Sequence, residues 1–287
     1  MTRRSYSHGR ARAKEIIKSL SIQHPSEIAI EEIAWNRGAL VREDDLEGFE
    51  GRLLRSGRSG IITVKSSIRE SGKKRWVAAH ELGHFELHKD TDQIALCTNR
   101  DLLYFYRKVQ PTEGEANEFA GEILMPESLL IPLLGTRTPR LDLVGEIAAE
   151  FGTTLTASAV RYVDSADHRC AIVMSTDSAI DWCHPSTDFG YWPKKGTPLS
   201  VNSYAVEFFS GGQIADKMQA VPADAWLTGD KIRQGTYINE HSRALSRYGA
   251  VLTLLWIEDD IDGYYDEEEE PADDPRYFTE DGKRWKF

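Results

Sequence analysis

The stretch Trp76-Val-Ala-Ala-His-Glu-Leu-Gly-His-Phe-Glu-Leu-His88 constrains this chain more than any other. Its apolar spacing predicts a helix over residues 74–88, with Ala78, Ala79, Leu82 and Phe85 on the face that packs on a core. At about 100° per residue, His80 and His84 stand only about 40° apart around that helix, so two imidazoles can converge on one ion. Glu81 lies about 100° from His80, beside the ion rather than on it, where a carboxylate can take a proton from water. This HExxH arrangement is the helical pattern of a metal site with a base next to it. Two histidines one turn apart also occur as solvated pairs, so the third ligand decides the matter.

A tetrahedral catalytic zinc usually takes three protein ligands. Asp90 stands six positions after His84, but the position where a glycine would turn the chain is Leu87, so the helix continues and that route fails. A second predicted helix, residues 112–125 stopped by Pro126, offers a better one. Glu113 and Asn117 are i, i+4 neighbours there, a carboxylate for the ion paired with an amide that can orient a ligand histidine. Glu115 competes, pointing about 200° away from Glu113. Glu113 is preferred because Glu115 has no such partner one turn on. Two imidazoles and a carboxylate suit one Zn2+ ion, with Mn2+ as a substitute the same donors accept. Zinc proteases also need a donor for the developing oxyanion. His88, Tyr104 and Tyr106 are the candidates, although His88 reads equally as a cation at the helix end.

The segment Glu113-x-Glu-Ala-Asn-x-Phe-Ala-x-x-Ile-Leu-Met-Pro126 following Ala79-His-Glu-Leu-Gly-His84 resembles the ImmA/IrrE metallopeptidases. The likeness runs from the N-terminal helices to about residue 165. It implies a thermolysin-like zinc core of helices on a small sheet, with His80, His84 and Glu113 as ligands and Glu81 as the catalytic glutamate. It also implies an intracellular zinc endopeptidase that cleaves a helix-turn-helix (Xre-like) repressor or antitoxin-like protein, in stress responses or mobile-element control. The competing reading is a non-proteolytic DNA- or partner-binding regulator whose zinc site is structural or vestigial. Glu81 favours the enzyme, since a structural site needs no base beside its ligands.

The rest of the chain sets the frame for that core. Helical spacing covers residues 11–20 and 26–37, the second stopped by Gly38. Residues 39–43, 51–55 and 60–65 read as a small antiparallel sheet. Two short helices around Gly152 fill residues 142–163. Residues 170–175 and 179–184 read as a hairpin and 250–257 as a buried strand. The expected architecture is α+β: a metallopeptidase core (1–135), a helical helix-turn-helix-like subdomain (136–168), a smaller α+β regulatory or sensor domain (169–260) and an acidic tail (261–287) of disordered composition. By resemblance a GAF-like sensor could follow the core, but no ligand-defining motif is present.

Net charge is less informative than it first looks. The 287 residues carry 46 acids against 35 Lys and Arg, a net of -11. Residues 258–287 hold 13 of those acids and 4 of the bases, so the remaining 33 and 31 leave residues 1–257 at a net of only -2. Nucleic acid is therefore not excluded by charge. The basic stretch Arg52, Arg55, Arg58, Lys65, Arg69, Lys73, Lys74, Arg75 reads first as a solvated sheet edge, and masking of it by the acidic tail is a weaker idea. In the helix-turn-helix-like segment, only Arg161 of the second helix is charged, so direct DNA binding is not favoured. Cys97, Cys170 and Cys183 resemble no disulfide framework, though a hairpin could bring Cys170 and Cys183 together as a redox pair. With no apolar h-region and no run of the roughly 18 residues a membrane helix needs, the expectation is a cytoplasmic protein without membrane contact.

Overall fold

A computed structural model describes residues 8–88, 95–97, 111–229, 232, 233 and 235–258. The chain begins with α1 (His8–Ser19), a 3-10 turn at Pro25–Glu27 and α2 (Ile30–Asn36). The helix expected over 26–37 is thus two pieces: Pro25 opens a 3-10 turn that ends at Ile28, and the α-helix starts only at Ile30. Gly38 ends α2 with φ 93°, the left-handed backbone that a side chain would resist.

Next come β1 (Ala39–Asp44), β2 (Gly51–Ser56), β3 (Ser59–Lys65) and α3 (Ser71–Leu87), then β4 (Ala95–Cys97). The sheet order is β1-β3-β2-β4. It is mixed rather than antiparallel: β2 and β3 form a hairpin through the tight turn at Gly57, leaving β1 only the far edge of β3, where it runs parallel. The apolar strand β3 takes the interior place, and β1, exposed over its last three residues, takes the edge. Gly60 of β3 faces α3 so closely that a Cβ there would sit 2.8 Å from the Phe85 ring.

On the other side of α3 lie α4 (Pro111–Leu124) and α1, followed by α5 (Glu127–Leu134), α6 (Leu141–Phe151) and α7 (Leu155–Ser165). Because sheet and helices enclose it, α3 is buried all round from Trp76 to Glu86, not on one face as its sequence predicts. Gly152 turns α6 into α7 with φ 60°, and the Thr154 hydroxyl caps α7 by accepting the Ala157 N–H at 3.1 Å. The expected two-helix unit is present, but α7 shows no exposed residue. Arg161 is buried, donating to Glu122 and, at 3.0 Å, to the Met125 carbonyl. The one basic side chain of α7 is thus turned to packing, whereas a groove-reading helix presents such groups outward.

The remaining elements are β5 (Arg169–Thr176), β6 (Ala179–Pro185), α8 (Ala205–Phe209), β7 (Met218–Pro222), β8 (Tyr237–Leu245) and β9 (Ala250–Ile257). They build an antiparallel sheet in the order β6-β5-β9-β8-β7. Side chains alternate across the central pair of strands. Cys170, Ile172, Met174, Ala250, Leu252 and Leu254 join the core of the helical part, while Ala171, Val173, Val251 and Leu255 join a second core with Phe189 and Trp226. That alternation also answers the redox idea. Cys183 pairs across from Val173 and packs in the second core, Cys170 in the first, so the sheet stands between the two thiols. Both are buried and free, and burial alone pushes the Cys170 thiol up to about 12.

Candidate metal centre

His80 and His84 project from the middle of α3 toward the first turn of α4. Nε2 of His80 lies 3.1 Å from Nε2 of His84 and 3.1 Å from Oε2 of Glu113, and Nε2 of His84 lies 3.3 Å from the same oxygen. Three ligand atoms thus form a near-equilateral triangle. Ligands held at about 2.0–2.2 Å from a tetrahedral zinc are about 3.3–3.5 Å apart, so the triangle is close to the size one such ion needs. The donor set is also right in kind: two neutral-capable imidazoles and one carboxylate. Burial opposes the charge on Glu113, yet hydrogen bonds to His80 and His84 hold its carboxyl well below the usual range. The histidines are buried, whereas the Glu113 side chain is 24% exposed, so the centre opens to solvent on that side.

Two glycines set this geometry. A Cβ on Gly83 would lie 3.1 Å from the Ala116 Cα and 3.2 Å from its carbonyl oxygen, both backbone. Gly83 therefore lets α4 approach α3 closely enough for Glu113 to reach both imidazoles. A Cβ on Gly51 would lie 2.5 Å from Oε1 of Glu81, so β2 presses its bare backbone against that carboxylate. Glu81 is fully buried beside the histidines. Farther along α3, the buried Glu86 accepts from Arg12 at 2.9 Å and Arg37 at 2.8 Å, tying α1 and the end of α2 to the same helix.

The residues named from the sequence come together as follows. His80, His84 and Glu113 meet at one point, and Asn117 sits behind them, its Oδ1 2.9 Å from Nδ1 of His80 and placed to accept that ring proton. Glu115 does not reach the triangle; its Oε2 is 3.1 Å from Nε2 of His88. His88 turns its two ring nitrogens to His84 and Glu115, at 3.0 and 3.1 Å, and burial lowers its pKa. Tyr104 and Tyr106 lie outside the described residues. The sequence reasoning missed the His84–His88–Glu115 contact; i, i+4 spacing of the two histidines hinted at its first half.

A second acidic cluster, Asp142, Asp216 and His241, has the composition of a metal site but not the electrostatics. Arg243 already donates to both aspartates, at 2.9 and 2.8 Å. Four bases of the basic stretch, Arg55, Lys73, Lys74 and Arg75, are likewise paired within the fold, while Arg58 and Arg69 are exposed. Arg55 donates to the Phe85 carbonyl, Lys73 pairs with Glu50 at 2.9 Å, Lys74 with Glu43, and Arg75 donates to the Ile28 carbonyl at 2.9 Å.

Residues 34–162 match the family model of the IrrE N-terminal-like domain, a peptidase family. That span contains every residue of the triangle together with Glu81 and Asn117. No curated protein matches the chain in sequence. Among solved structures, a Mycobacterium tuberculosis transcriptional regulator is similar with a TM-score of 0.57 at 15% identity, over 88% of this chain and 76% of that one. At that identity the likeness is one of fold, and it extends well beyond the span that the family model covers. Among the described residues, no helix is long and apolar enough to cross a membrane.

Proposed function

Through residues 34–162 this chain belongs to the ImmA/IrrE family of metallopeptidase-like proteins, and on that premise we propose that it is a zinc-dependent endopeptidase. The observation that carries the proposal is the triangle of His80 Nε2, His84 Nε2 and Glu113 Oε2. These residues would hold one Zn2+, with Mn2+ an acceptable substitute. A zinc ion there supplies Lewis acidity toward a scissile carbonyl and acidifies water to a pKa of about 7.

The chain's own groups do the rest. Glu81, one residue after His80 and confined by Gly51, takes the proton of the attacking water and delivers it to the leaving amine. Asn117 holds the His80 ring with Nε2 toward the centre. The buried surroundings of His80 and Glu81 exclude bulk water, which strengthens every charge interaction inside. The open side at Glu113 is where an extended polypeptide would approach. The substrate we propose is a helix-turn-helix repressor or antitoxin-like protein of a stress or mobile-element response, in the cytoplasm.

The decisive comparison is wild type against Glu81→Gln. Both should bind one zinc by metal analysis, and only wild type should cleave a helix-turn-helix repressor encoded beside it. Loss of a general base predicts a rate about 10²–10⁴-fold lower. Glu113→Ala should abolish zinc binding, whereas Glu115→Ala should still bind one ion, with reduced affinity. If neither wild type nor Glu81→Gln cuts and wild type binds DNA tightly, the chain is instead a non-proteolytic regulator. The fold likeness to a transcriptional regulator is the one observation on that side, and the buried α7 stands against it.

A further inference from the structure

The two ligand histidines need the same thing and obtain it differently. For Nε2 to offer its lone pair to an ion, the ring proton must sit on Nδ1, and a partner must accept it there. Asn117 does this for His80. For His84 the corresponding atom is Nδ1 of His88, 3.0 Å away, with the rings 5.0 Å apart between centroids. An imidazole nitrogen that accepts leaves the proton of its own ring on the other nitrogen. His88 therefore carries its proton on Nε2, which points at Oε2 of Glu115 at 3.1 Å. Starting from a lone pair at His84 Nε2, this sequence of donors and acceptors has one direction. It ends on a carboxylate, the group that accepts without needing a further partner.

We propose that His88 and Glu115 form a positioning relay behind His84, with Glu115 accepting from His88 and His88 accepting from His84, so that His84 keeps the ring orientation and tautomer a metal ligand requires. The proposal rests on the zinc reading above and extends it to two residues outside the triangle. Burial falls along the relay: the side chains of His84, His88 and Glu115 are 8%, 12% and 35% exposed, so it runs from the centre to the surface. Its outer end is fixed by α1. A Cβ on Gly9 would lie 2.2 Å from the Glu115 carbonyl oxygen, so the bare Gly9 backbone rests on α4 at that residue. The N-terminal helix thus bears on the centre through Glu115, although none of its side chains belongs to the ligand triangle.

The test uses the full chain and measures zinc affinity by competition with a chromophoric chelator, with the visible spectrum of the Co2+ form as a second readout. His88→Ala and Glu115→Ala should each bind zinc about 10–100-fold more weakly than wild type. The double variant should be no weaker than His88→Ala alone, because Glu115 acts only through His88. Glu115→Gln keeps an acceptor oxygen and should recover most of the affinity. The Co2+ bands should shift in the two alanine variants and return in Glu115→Gln, which a loss of general stability does not produce. Single losses that multiply in the double variant overturn the relay, as does equal affinity in Glu115→Ala and Glu115→Gln; this second comparison stands even if His88→Ala fails to fold. Wild type that binds no zinc overturns the metal reading and the relay together. Wild type that binds zinc no better than the two alanine variants overturns the relay alone.

Discussion

Two carboxylates, one in each half of the molecule, show what separates a site from a scaffold. Glu240 of β8 is buried, and both its oxygens are occupied: Oε1 accepts from the Ala205 N–H at 2.8 Å and the Ser242 hydroxyl at 2.7 Å, Oε2 from the Trp226 indole at 2.7 Å and the Tyr204 N–H at 3.2 Å. Those donors pin α8 and the Trp226 turn to the sheet. Glu113 uses a single oxygen for two imidazoles that also face each other, a geometry that only an ion or shared protons can reconcile. The histidines repeat the contrast. His241 Nδ1 accepts the Leu141 N–H at 3.1 Å and its Nε2 donates to Asp216 at 2.8 Å, so both its nitrogens are spent on joining α6 to the second sheet. His84 turns one nitrogen to the shared point and the other to its support. Saturated partners mark structure, and converging ones mark a place held for a ligand.

The contrast can be broken by experiment. The largest effect is expected at Glu240→Ala, which strands several buried donors. Unfolding by denaturant should show a loss of about 3 kcal/mol, with zinc affinity unchanged. A fall in zinc affinity without a fall in stability would reverse the assignment. An intermediate effect belongs to Asp164, which joins the two regions. Burial opposes its charge, but its bond to His184 at 2.8 Å and its pairing with Arg10 lower its pKa from 3.8 to about 2. A carboxylate depressed in the folded state stabilises above its unfolded pKa, and that contribution disappears as pH falls through the folded value. Wild type should therefore lose roughly 2 kcal/mol between about pH 4 and pH 2, and Asp164→Asn should lack that part of the acid transition. An unchanged acid profile in Asp164→Asn would remove this link. The smallest effect is expected at Glu113→Ala in the metal-free protein, whose stability should change by no more than about 1 kcal/mol, although the same variant should lose zinc. A large loss of metal-free stability would make Glu113 a scaffold residue like Glu240.

Much of the centre was legible because it is local. His80, Glu81 and His84 share one helix, and a period of 3.6 residues fixes which side chains meet whatever the tertiary structure. Glu113 and Asn117 are likewise one turn apart, and the choice of Glu113 over Glu115 followed from that pairing. The turn at Gly152 and the central strand at residues 250–257 were readable for the same local reason. Parallel pairing of β1 with β3 was not, because nothing within a strand states which neighbour it will have. Amphipathic spacing predicted one buried face for α3, but spacing does not reveal that a sheet and a helix pair will enclose it. Arg161 looked like the lone base available to DNA, and only the fold shows it turned inward to Glu122.

The amino-acid sequence by itself determined the side chains of the candidate centre: two imidazoles, a glutamate beside them, and a carboxylate with its amide one turn away. Each of these is a relation within a single helix. The tertiary structure alone decided how α3 and α4 meet, through the missing side chain at Gly83, and so which oxygen reaches both rings, while the bare backbone of Gly51 lets β2 close on Glu81. It also gave His88 and Glu115 their place behind His84. Contacts between helices depend on the approach of two backbones, and that distance is set by packing.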